Sequence, residues 1–109
     1  MNEAAVELVL KSGHLYVPAL AYENAMDHFL AVAVLWRPPF MHLIPLHSGS
    51  VGGFLVKQRN LTGDRVIDLR LFLLDQELVV DSDAPLLFLW APEAGCWQTQ
   101  WPCPALLDK

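Results

Sequence analysis

The sequence predicts an α+β fold, an antiparallel sheet of about 5–6 strands with one main helix packed on one face. Two observations carry that prediction. Residues 19–36 begin with helical periodicity, and from 54 onward short apolar runs alternate with turn residues at the spacing of a β-meander. An all-β, barrel-like arrangement is the alternative if 29–36 and 40–46 pair as strands around "RPP" at 37–39.

Taken in order, the first element is a hairpin over 6–18. Val, Leu and Tyr dominate both "VELVLK" and "HLYVPA", and "SG" supplies the turn. A helix is the competing reading, because Glu3, Glu7 and Lys11 recur every fourth residue. In "ALAYENAMDHFLAVAVLW" (19–36), Glu23, Asn24, Asp27 and His28 fall as adjacent pairs four apart, opposite Tyr22, Met26, Phe29, Leu30 and Ala33. That is an amphipathic helix in its first half, while "FLAVAVLW" also reads as a buried strand. Prolines 38 and 39 end whatever precedes them. "FLVKQR", "RVIDLRLFLL", "ELVVD" and "PLLFLWA" follow as strands, parted by "NLTGD", "DQ" and "DSDA". Within the second, Ile67, Leu69, Leu71 and Leu73 alternate with Val66, Asp68, Arg70 and Phe72. The last strand holds "CWQTQW", with Trp97, Thr99 and Trp101 on one face, and Pro102 and Pro104 make it an edge or terminal strand.

The 109 residues make one domain, 1–109, with room for one core. Hydrophobic residues are 54% of the chain, with six glycines besides, and charged residues only 17%. Ordinary domains carry about 25% charged residues, so this chain has more apolar surface than one small core absorbs. The expected destination of the surplus is a homodimer interface. A membrane span does not account for it. The longest stretch free of acidic and basic residues, 38–56, is broken by three prolines and three glycines. The opening "MNEAAVELVL" has two acids and no base, unlike a secretory signal, so a cytoplasmic location is expected. A net charge of −5 argues against a nucleic-acid partner, because Lys57, Arg59, Arg65 and Arg70 are interleaved with Asp64 and Asp68.

The candidate sites are sparse. Cys96 and Cys103, seven residues apart, would stand over ~20 Å apart on a strand, beyond the roughly 7 Å a disulfide allows. Their spacing also lacks the paired ligands of a zinc site, and no metal or cofactor is expected. Asp81 and Asp83 lack the further oxygen ligands of a calcium loop. "HSGSVGG" (47–53) matches neither a nucleophile elbow around Ser48 or Ser50 nor a phosphate loop. The expected ligand-binding residues are Trp36, His42, His47, Trp97 and Trp101, around a pocket for a small, partly apolar molecule. The composition thus predicts a homodimeric binding or accessory module. A protein-interaction module of immunity or antitoxin type would instead use the acids of 75–83 against a basic target. A small enzyme would use Asp27, His28 or His47 for proton transfer.

Overall fold

A computed structural model describes residues 5–26, 29–46, 53–78 and 83–100. Its elements are β1 (Ala5–Lys11), β2 (His14–Val17), α1 (Ala19–Ala25), β3 (Ala31–Arg37), β4 (Phe40–Leu46), β5 (Phe54–Leu55), β6 (Lys57–Gln58), β7 (Arg65–Asp68), α2 (Arg70–Asp75), β8 (Ala84–Ala91) and β9 (Cys96–Gln100). All the strands belong to one antiparallel sheet in the order β5-β3-β4-β9-β8-β1-β2-β7-β6. The two ends of that order are halves of one run. In 54–58, β5 bonds to β3 while β6 bonds to β7, and the Val56 amide donates to the Leu30 carbonyl between them. A single segment thereby ties both sheet edges together and nearly closes a barrel of eight strand positions. That size leaves an interior just wide enough for side chains to fill.

The filling follows from alternation. Along β1 exposed and buried residues alternate strictly, with Val6, Leu8 and Leu10 inside. Leu15 and Val17, Val32, Met41 and Leu43, Ile67, Leu86 and Phe88, and Trp97 join them from the other strands, and Met26, Phe29, Leu69, Phe72 and Leu73 add to the same core from outside the strands. Each such side chain contributes about 1.5–3 kcal/mol on burial. The β1–β2 hairpin turns on Ser12 and Gly13, at φ 53° and 80°, the two positive angles of a type I′ turn. Gly13 is also closely approached, since a Cβ there would lie 2.5 Å from Arg70 Cγ.

This architecture overturns the expected α+β sheet of about 5–6 strands under one main helix. Helix α1 is only seven residues long and none of them is fully buried. The second half of 19–36, readable as helix or buried strand, is strand β3, where β-branched and aromatic side chains in "AVAVLWR" pair with β4 across the Pro38–Pro39 turn, whose peptide bond is cis. That is the pairing on which the barrel alternative depended. The expected strand over 65–74 is also divided. Asp68 Oδ1 accepts the Arg70 amide at 3.1 Å, an Asx turn that ends β7, and Leu69, Phe72 and Leu73 then bury one side of α2 at helical spacing. Strand β9 is no edge, since it lies between β4 and β8. The prolines that suggested an edge position lie beyond the described residues.

The short helices sit at opposite ends of the β2–β7 pair. At α1, the Ala19 amide donates to Asp64 Oδ1 at 2.7 Å, Tyr22 Oη donates to the Phe29 carbonyl at 3.1 Å, and the Arg65 guanidinium stacks 4.4 Å over the Tyr22 ring. At α2, Phe72 meets Phe54 edge-on at 6.3 Å, and the Leu69 amide donates to the Gly13 carbonyl. No helix among the described residues is long and apolar enough to cross a membrane.

Candidate functional site

The barrel directs chemistry to its outside. Trp97 is 2% exposed and faces the interior beside Trp90, the rings 5.3 Å apart and edge-on. Trp36 is half-buried and packs against the same core. His42 alternates with the buried Met41 and Leu43, so it stands on the opposite, outer face of β4. Two of the expected ligand-binding tryptophans are thus inward and the histidine is outward. His47 and Trp101 lie outside the described residues, as do Asp27, His28, Ser48, Ser50, Asp81 and Cys103.

Register defines the outer face. Leu89, Gln98, His42 and Leu35 are successive cross-strand partners over β8, β9, β4 and β3, and on the other side Leu89 faces Ala5 and Leu87 faces Glu7 on β1. Leu87 is 54%, Leu89 47% and Val9 41% exposed, and Leu35 and Phe40 are exposed as well. Large apolar side chains therefore cover a broad, weakly charged part of the barrel wall.

On this face Cys96 Sγ lies 3.5 Å from His42 Nδ1. Burial pushes the Cys96 thiol above its ordinary range, against the pull of Arg37, and burial followed by Arg37 holds the imidazole below its ordinary value. At neutral pH the pair is a thiol beside a neutral imidazole. Both directions disfavour the thiolate that a cysteine nucleophile needs. The described residues hold no group of three or more His, Cys, Asp or Glu placed to bind a metal ion.

Two further features lie near the helices. Beside α1, Arg59 stacks 4.7 Å over Tyr16, and a cleft of about 80 Å³ opens between Tyr16, Pro18, Arg59, Asp64 and Arg65. Asp64 is held ionised there, below the usual carboxylate range, by the Asn60 side chain and the Ala19 amide. Against α2 lies a cleft of about 640 Å³, lined by Phe54, Leu71, Phe72, Leu74, Asp75 and Glu77. It adjoins a second cleft of about 220 Å³ that adds Leu55, Lys57 and Asp68.

Comparison with family models, curated proteins and solved structures finds no match. Function is therefore read from the surface itself. The α2 groove was missed at the sequence level because 65–74 reads as one strand. The i, i+3, i+4 spacing of Leu69, Phe72 and Leu73 is the signal that leaves Leu71 and Leu74 on the opposite side of a helix.

Proposed function

We propose that the protein is a small cytoplasmic homodimeric binding module, in which the barrel is a rigid carrier and two copies join through the outer face of β8 and β1. One observation carries this reading: Leu87, Leu89 and Val9 are large, apolar and exposed on adjacent hydrogen-bonded strands whose inner faces are already fully used by the core. Burying such a face against a second copy removes apolar area from water at roughly 25 cal/mol per Å². Glu7, flanked by these side chains, is a charge that a partner must pair or leave at the rim. Cytoplasmic residence suits the free, buried thiol of Cys96.

Among the described residues the inward side chains Leu8, Leu10, Met41, Leu43 and Phe88 are fully buried, which favours surface recognition over a ligand held in a lumen. Placing glutamate at both Leu87 and Leu89 tests the reading. These side chains point away from the core, so circular dichroism should keep the barrel signature while size-exclusion chromatography shifts from dimer to monomer. Wild-type protein that elutes as a monomer at every concentration would refute it.

A further inference from the structure

We infer that the groove between α2 and β5 docks a basic amphipathic segment of a partner protein. Its apolar side chains seat on Phe54, Leu71 and Leu74, and its Lys or Arg residues reach Asp75 and Glu77. The apolar half rests on exposure: Leu71 is 76% and Leu74 75% exposed, one turn apart on the side of α2 turned away from Phe72 and Leu73, and Leu55 stands exposed beside them. The floor is aromatic, with Phe72 and Phe54 meeting edge-on, their centroids 6.3 Å apart. The cleft is open to solvent rather than enclosed, so it would leave much of a small molecule wet, whereas a chain segment can lie across it and cover the leucines.

Charge identifies the occupant. Asp75 and Glu77 form no ion pair among the described residues, in a chain of net charge −5. Asp68, in contrast, is engaged bidentately by Arg70, at 2.9 and 2.7 Å. Lys57 lines the adjoining cleft and not this one, so a two-fold pairing centred on Asp75 and Glu77 would bring the same acids of two copies together, and a cationic segment fits this cleft better than a second copy.

Backbone geometry agrees. Glu77 has φ 57°, and the Leu78 amide donates to the Leu73 carbonyl while the Glu77 amide donates to the Leu74 carbonyl. That is a Schellman close, whose left-handed residue is ordinarily glycine. A glutamate there keeps a carboxylate at the rim at the expense of local stability.

The test uses the full chain and two fluorescein-labelled amphipathic peptides, one of leucine and lysine and one of leucine and glutamate, read by fluorescence anisotropy. The wild-type protein should bind the leucine–lysine peptide and not its acidic counterpart. Leu71→Ser with Leu74→Ser should lower that affinity about tenfold or more, the loss of well over 1 kcal/mol of apolar burial. Asp75→Lys with Glu77→Lys should invert the peptide preference. Glu77→Gly should weaken binding while thermal stability stays level or rises, which separates the carboxylate's role from folding. Leu87→Glu with Leu89→Glu should leave peptide affinity unchanged, so the groove and the dimer face fail or stand separately. The inference is overturned if both peptides bind alike, if neither binds, if the serine variant binds as wild type, or if that variant instead dissolves a dimer.

Discussion

Trp97 shows at the level of one residue how the core was assembled. Its indole is buried, yet Nε1 finds no acceptor among the described residues, so shape and apolar area, not hydrogen bonding, keep it in place. Trp97→Phe removes the stranded donor along with some volume, and the two effects offset each other. It should change the unfolding free energy by within about 1 kcal/mol, whereas Trp97→Ala should cost about 3–5 kcal/mol through the cavity it leaves. Urea denaturation of the two variants measures the difference, and equal costs would show that the indole N–H matters. Cys96 permits a second prediction. With its thiol held protonated by burial, alkylation by iodoacetamide at neutral pH should be much slower in the native protein than in urea. With the reaction read at Cys96 by peptide mapping, apart from Cys103, fast native alkylation would instead mark an activated cysteine beside His42.

Among the elements, the β7–α2 junction is the most informative. Asp68 ends the strand, and Arg70 holds its carboxyl well below the usual carboxylate range through side-chain and then backbone hydrogen bonds. A depressed carboxylate contributes stability above its unfolded pKa, about 3.9, and that contribution is lost as pH falls toward the folded value. Asp68→Asn should therefore flatten the acid side of the stability profile below about pH 4 relative to wild type. The effect is modest because the pair is solvent-exposed. Urea midpoints across that pH range check it, and identical acid limbs would show that Asp68 is not coupled to folding.

The same junction shows why parts of the fold were not legible. "PLLFLWA" reads correctly as a strand because it is a short apolar run set off by the turn residues "DSDA", and "CWQTQ" because its side chains alternate. In "LRLFLL" every second position and every third or fourth position are apolar together, so period alone does not separate strand from helix. The Asx turn that decides between them depends on the side chain of Asp68 meeting its own backbone. The tail of 19–36 stayed open between helix and strand for the same reason, since "AVAVLW" satisfies both periods and only the β4 partner selects the strand.

At the scale of the whole molecule, closure comes from 54–58, which no local pattern announces: two residues bond to one sheet edge, two to the other, and Val56 bridges them. This near-closure covers part of both sheet edges and gathers the core inside a single sheet. The candidate site was correspondingly half visible. Composition pointed to surplus apolar surface, but assigning that surplus to the outer face of β8 and β1 and to the α2 groove requires the register. Likewise, Cys96 and His42 meet only because β9 lies beside β4, although they are 54 residues apart in sequence. The most direct measurement of the central claim, that two copies share this outer face, is the mass of the wild-type chain by sedimentation equilibrium over a concentration series. The expected result is twice the 12.2 kDa chain mass, falling to one chain mass on dilution. A mass of 12.2 kDa that does not change with concentration would contradict it.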